Sequence, residues 1–304
     1  MGKVLFVCLA AVFIVSCSCD GAEIGALATR RGEFNMYYVY SRDNPHLPTR
    51  VYPTVQSANI DARDFRSMVV VLVHDHGGSH GTALDNYVKF ALLSTEDVTI
   101  IVVDWSLVAS MSYANAVAQA PSVGENIAQL LQVLVQRRRV TLANLHMVGF
   151  GLGAHIVALA ARSVNGVVAR ITGLDPSKPQ GVLNHAYLRP GDAAYVEVIH
   201  TDGEGEDAND IGIPIGNVDF FPNWGTNQPG CTDNACNHIR SYELFAASIS
   251  DGNLFGRLCR LNVEPSLENC PGSRLALGTN TLIKYNAGSF FLQTGSTYPY
   301  DELD

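Results

Sequence analysis

Two apolar runs, Met68 to His74 and Val98 to Asp104, constrain this chain more than any other feature. Both are rich in valine and isoleucine, the pattern of strands buried on both faces of a mainly parallel sheet. Helical stretches lie between and after such runs. The clearest begins at Pro121 and runs through Ile127, Leu130, Leu131 and Leu134 to Arg139, with proline at its start and Arg137-Arg138-Arg139 at its end. Leu145 to Phe150 reads as a strand, Ala154 to Ser163 as a helix, and Val167 to Leu174 and Ala194 to His200 as further strands. An aromatic strand over Glu33 to Tyr40 precedes them; Asp202 to Cys236 reads as loop, and Thr281 to Tyr285 and Ser289 to Gln293 as late strands. This alternation predicts an α/β fold: a central, mostly parallel sheet flanked by helices, with ligand chemistry at the carboxyl ends of the strands. Gly151, Asp175 and His200 each stand just past such an end.

With 304 residues, 47% of them apolar, the chain suits one large domain better than a string of small ones. Lys3, the apolar run Val4 to Val15 and the small residues Ser16 to Cys19 read as a secretory signal peptide over residues 1–19. Residues 20–304 then form a single domain. The apolar run is too short for a membrane span, which needs about 20 residues, so no transmembrane segment is expected and the protein is secreted. A net charge of -9 argues against nucleic acid as a partner. Beyond the signal region stand Cys231, Cys236, Cys259 and Cys270. Four cysteines allow three connectivities, and close spacing favours Cys231–Cys236 and Cys259–Cys270 in an oxidising compartment. A zinc site is the weaker alternative, because the spacings do not make paired Cys-x2-Cys knuckles.

Between the strand ending at Phe150 and the helix that follows lies Gly149-Phe150-Gly151-Leu152-Gly153. A hydrolase elbow reads Gly-x-Ser-x-Gly, its serine exposed on a strained strand-to-helix turn. A phosphate-binding turn of the Gly-x-Gly-x-x-Gly type requires a sixth-position glycine, and Ala154 and His155 follow instead. Downstream come Gly173-Leu174-Asp175-Pro176, a carboxylate at a strand end, and Cys236-Asn237-His238, a histidine beside a candidate disulfide. Nucleophile, acid and base occur in that chain order in α/β-hydrolases. A second cluster, His74, His76 and His80 with Asp85, permits a metal reading, because His-x-His at a strand end puts both rings on one face. The glycines around it give no rigid frame, so neither a metal nor a cofactor is expected.

Further segments extend the pattern: Val103-Asp104-Trp105-Ser106, Ile171 to Pro176, Val198-Ile199-His200-Thr201-Asp202-Gly203, Val218 to Asn223, Gln228-Pro229-Gly230-Cys231 and Cys236 to Ser241. In this order and spacing they resemble the pancreatic-lipase family, and within it the compact secreted insect members that include phospholipases A1 and lipase-like yolk proteins. The resemblance spans roughly residues 60 to 295. It implies an α/β-hydrolase fold without the C-terminal β-sandwich domain of the larger lipases. It also implies a lost serine at Gly151, the triad acid at Asp175, the triad base at His238 and oxyanion-hole N–H groups at His76 and Leu152. His200 takes a structural place. Asp75 replaces the glycine of the family's His-Gly-aromatic turn, and a carboxylate beside a developing oxyanion opposes its stabilisation unless it turns to solvent. Only Thr232 to Ala235 lie between the cysteines that bracket the family's lid, and Arg189 precedes Pro190-Gly191-Asp192 where calcium-binding relatives carry an acid. The implied protein is a secreted, catalytically inactive lipase homologue that binds lipid or another apolar ligand or serves as a yolk-type store. The alternative is an active carboxylic-ester hydrolase with another nucleophile, Ser79 being nearest in sequence.

Overall fold

The computed structural model describes residues 35–52, 65–259 and 270–301, all within the compact unit Gly32–Asp304. The expected signal peptide over residues 1–19 lies outside the described residues. In chain order the strands are β1 (Met36–Tyr40), β2 (Thr49–Val51), β3 (Met68–Val73), β4 (Val98–Asp104), β5 (Leu145–Phe150), β6 (Arg170–Leu174), β7 (Tyr195–Ile199), β8 (Val218–Pro222), β9 (Phe255–Leu258), β10 (Arg274–Ala276) and β11 (Gly288–Leu292). The helices are α1 (Ala83–Thr95), the short α2 (Ser106–Ala109), α3 (Tyr113–Gln136), α4 (Leu152–Ser163) and α5 (Asn234–Ser250).

One sheet runs in the order β10-β9-β11-β8-β7-β6-β5-β3-β4-β1-β2. Every pairing from β4 through β3, β5, β6, β7 and β8 to β11 is parallel, and the outer pairings are antiparallel. Strand alternation divides the core in two. Val69, Val71 and Val73 of β3 face the side covered by α3 and α4, while Val70 and Leu72 face the side covered by α1 and α5. Because both faces are covered, β3 and β4 read as continuous apolar runs. The order of strands reverses around β3, which lies between β4 and β5, and this is where an open α/β sheet forms its ligand crevice.

Several expected elements shift. The helix expected from Pro121 begins at Tyr113, with Pro121 inside it. Burial of Ala116, Val117 and Ala120 offsets the hydrogen bond that proline cannot donate. The expected loop from Asp202 to Cys236 contains β8, whose buried Asp219 hid its strand character. Thr281 to Tyr285 is not a strand. Instead, the Thr281 carbonyl accepts from Arg170 and Lys284 reaches into the sheet. There Arg170 and Lys284 meet Glu197 at 2.9 and 2.7 Å, and all three side chains are buried. Among the described residues no helix is long and apolar enough to cross a membrane.

Candidate active site

Three strand ends converge at the crevice. Past β3 the chain turns through His74-Asp75-His76, anchored by Trp105, whose indole N–H donates to the His74 carbonyl at 2.9 Å and whose ring stacks on the imidazole. Past β5 lies Gly151, with φ +56 and ψ −119, which leads into α4. That combination is outside the regions open to residues with a side chain at ordinary cost. The flanking glycines serve close packing: a Cβ at Gly149 would lie 2.3 Å from the Gly153 carbonyl oxygen, and one at Gly153 would lie 2.4 Å from that of Val73. Past β6 comes Asp175, buried, its N–H bonded to the Ile199 carbonyl.

The carboxylate of Asp75 turns inward, not to solvent. A Cβ built on Gly151 would lie 2.2 Å from its Cγ and 2.2 Å from its Oδ1. Asp75 thus fills the space a side chain at residue 151 would need. Its Oδ1 accepts the Leu152 N–H at 2.6 Å, and the His76 N–H also acts on the carboxylate. Its Oδ2 faces His238 Nε2 at 3.2 Å. His238, in the first turns of α5, meets Asp175 Oδ2 through Nδ1 at 2.6 Å and stacks on Phe150 with centroids 4.2 Å apart. Asp175 is fixed in turn by the Thr201 hydroxyl at 2.8 Å and the Asp202 N–H at 2.9 Å. Gly151, Leu152, His76 and His238 are therefore gathered around one side chain, Asp75, and Asp175 joins them through His238. The signal that could have oriented Asp75 is the pairing of a missing side chain at 151 with an extra one at 75.

Burial opposes the charge on His238, but hydrogen bonds and charge from Asp175 and Asp75 outweigh it and raise its pKa to about 10. Burial also opposes ionisation of Asp75; the His238 contact and the two backbone N–H groups outweigh it and hold the carboxyl below its ordinary value. The centre is an imidazolium between two carboxylates, a charge lock. An imidazole in this state is no base at neutral pH. His200, next in the chain to the Thr201 that bonds Asp175, repeats the arrangement, with Asp210 at 2.7 Å and Asp219 at 3.0 Å, and its pKa also rises to about 10 although burial opposes it. It has no contact with the His238 ring.

The three histidines of the second cluster part company. His74 packs on Trp105, His76 Nε2 meets the Met111 carbonyl at 2.8 Å, and His80 stacks on Tyr38 at 3.8 Å. Among the described residues no group of three or more His, Cys, Asp or Glu could hold a metal ion. At the Pro190-Gly191-Asp192 turn, Arg162 grips the Asp192 carboxylate with two bonds, at 2.7 and 2.6 Å. It also donates to the carbonyls of Ala186 at 2.7 Å and Tyr187 at 2.6 Å. These oxygens are committed to a guanidinium and do not fit calcium, which takes about 6–8 oxygen ligands. Cys231 is bonded to Cys236 and Cys259 to Cys270.

A family profile described as Lipase matches residues 28–300. Pancreatic lipase-related protein 2 of Rattus norvegicus is 34% identical over 246 residues, covering 70% of this chain and 51% of the relative. Pancreatic triacylglycerol lipase of Myocastor coypus is 32% identical over 268 residues, 80% of this chain and 58% of the relative. The human pancreatic triacylglycerol lipase is 33% identical over 242 residues, 70% and 51% respectively. The chain spans about half the length of the curated relatives it matches. Among solved structures, esterase B from Lactobacillus Rhamnosis overlaps with a TM-score of 0.32 at 14% identity, over 59% of this chain and 71% of that one.

Proposed function

This chain belongs to the lipase family, and from that premise we propose that it is a secreted member that has given up carboxylic-ester hydrolysis and binds lipid or another apolar ligand, or serves as a yolk-type store. Its fold is the α/β-hydrolase fold, and the paired cysteines suit an oxidising compartment. On this reading Gly151 stands where the nucleophile serine stood, Asp175 and His238 are the vestigial acid and base, and His76 and Leu152 are the former oxyanion donors. The observation that carries it is the Asp75 carboxylate. It takes the volume of the absent side chain, accepts the Leu152 N–H and occupies His238 Nε2.

Loss of a triad serine costs about 10⁶-fold in turnover, and the residual rate relies on the oxyanion hole. Here that hole already holds an anion. Ser79 gains no support as a substitute, because both ring nitrogens of His238 are engaged by Asp175 and Asp75. The test is hydrolysis of short- and long-chain esters and labelling by a serine-directed phosphonate on the purified protein; efficient turnover would sink the proposal. Mass spectrometry of the native protein separates the two roles: co-purified lipid supports ligand binding, and its absence supports storage.

A further inference from the structure

An anion bound at the emptied elbow is also a nucleophile. Asp75 Oδ1 accepts the Leu152 N–H at 2.6 Å, while Oδ2 stands 3.2 Å from His238 Nε2. The side chain keeps 21% of its surface exposed. A carboxylate offers about four lone-pair sites, so the contacts with Leu152, His76 and His238 leave one for an incoming atom. Attack on an ester carbonyl would give an anhydride, a less stable acyl compound than the ester consumed. Attack on a saturated carbon gives an ordinary ester. The imidazolium beside it is a proton donor, suited to a leaving group that must be protonated. Phe150 stacks on His238 with centroids 4.2 Å apart, Tyr113 stands edge-on to His76 at 5.2 Å, and Met111, 44% exposed, meets the His76 ring through its carbonyl, so apolar groups flank the two histidines about Asp75.

We propose that Asp75 is a catalytic nucleophile toward epoxides carried on apolar chains, which the protein converts to vicinal diols through an alkyl ester on the Asp75 carboxylate. In the first step Oδ2 forms a bond to an epoxide carbon, the carbon–oxygen bond of the ring breaks, and the oxygen takes the proton from His238 Nε2. The step discharges Asp75 and leaves a hydroxyalkyl ester beside a neutral imidazole still oriented by Asp175. Of the two carboxylates that held the ring protonated, one is then gone, so the reaction generates its own base. In the second step His238 takes a proton from water as the water oxygen bonds to Cγ, and the charge on Oδ1 falls to the N–H groups of Leu152 and His76. The Cγ–Oδ2 bond then breaks and the diol leaves with Oδ2, its alkoxide protonated by His238. The new carboxylic acid returns its proton to the imidazole. The sum is epoxide plus water to diol.

Two features of this chain set the chemistry apart from ester hydrolysis: the nucleophile comes from β3 and not from the elbow, and Gly151 is what makes room for it. The proposal goes beyond the loss of ester hydrolysis and is read out separately. The experiment incubates excess protein with a 1,2-epoxyalkane in ¹⁸O-water for a single turnover. The peptide bearing Asp75 is expected to gain one heavy oxygen while the diol carries none from water. His238→Gln is expected to accumulate the alkyl ester on Asp75 as a stoichiometric mass adduct, and Asp75→Asn, nearly isosteric, to lose both adduct and diol. Thermal melts report whether each variant folds, and the wild-type labelling decides the matter if neither does. Heavy oxygen found in the diol and not at Asp75, or no adduct and no diol from the wild type, overturns the proposal. Ester hydrolysis by the wild type would overturn the proposed function instead, leaving the oxygen label to be read on its own.

Discussion

Placing serine at residue 151 is expected to fail unless Asp75 is removed with it. In Gly151→Ser the new Cβ would lie 2.2 Å from the Asp75 Cγ. A side chain at φ +56 and ψ −119 costs about 1–3 kcal/mol in backbone strain. Displacing the carboxylate adds the loss of charged hydrogen bonds to Leu152 and His238, about 1.5–3 kcal/mol each. The single variant is therefore expected to lose about 4 kcal/mol or more, and Asp75→Gly alone about 3 kcal/mol. In the double variant the serine enters the vacated volume, and only the backbone strain and the lost charge remain. The coupling between the two sites is expected near 3 kcal/mol, the upper end for residues in contact. Urea denaturation of all four proteins measures it, and hydrolysis of 4-nitrophenyl butyrate follows function. The double variant should exceed Gly151→Ser by about 10²–10³-fold, the worth of an oxyanion donor, because in the single variant the displaced carboxylate still stands beside the turn and its charge opposes a developing oxyanion. Costs that add to within about 0.5 kcal/mol, or equal activity in the single and double variants, would refute the steric argument.

Other consequences are as direct. The His238 ring should remain protonated until about pH 10 in an NMR titration, and Asp75→Asn should lower that midpoint. Since the folded pKa is raised, the stability it contributes is complete below the unfolded value of about 6.5 and declines as pH climbs to about 10, by about 1.4 kcal/mol per pH unit. A stability profile flat between about pH 7 and 9 in the wild type would contradict this. Arg162→Met should cost about 3 kcal/mol, the low end for breaking a buried ion pair because Arg162 is 24% exposed, while calcium chelation should leave the wild-type melting temperature unmoved. Glu197→Gln strands two buried cations and should destabilise by about 3–5 kcal/mol; Lys284→Met keeps the Arg170–Glu197 pair and should cost far less, as denaturant titrations will tell.

Strands β3 and β4 were legible because burial on both faces leaves a period-free apolar signal, and β5 to β7 because a short apolar run precedes Gly151, Asp175 and His200 in turn. β8 was hidden because Asp219, half of the clamp on His200, interrupts the run, and Pro121 misplaced the start of α3 because packing overrode its local cost. The residues of the candidate site were all nameable from motif order, since Gly151, Asp175 and His238 each follow a recognisable segment. Their present chemistry was not. Whether Asp75 faces solvent or the crevice depends on space left by a residue 76 positions away, a long-range complementarity that no local pattern carries. The same holds for Arg162, a helical arginine whose spacing says nothing of Asp192.

That arginine changes what the loop at Asp192 depends on. A loop ordered by a dissociable ion is only as stable as the free ion concentration allows, since occupancy follows mass action. Arg162 delivers its charge on a side chain already fixed to α4, at an effective concentration that dilution cannot lower. The order of the Ala186–Asp192 turn is thus written into the chain and does not vary with the calcium level of its surroundings.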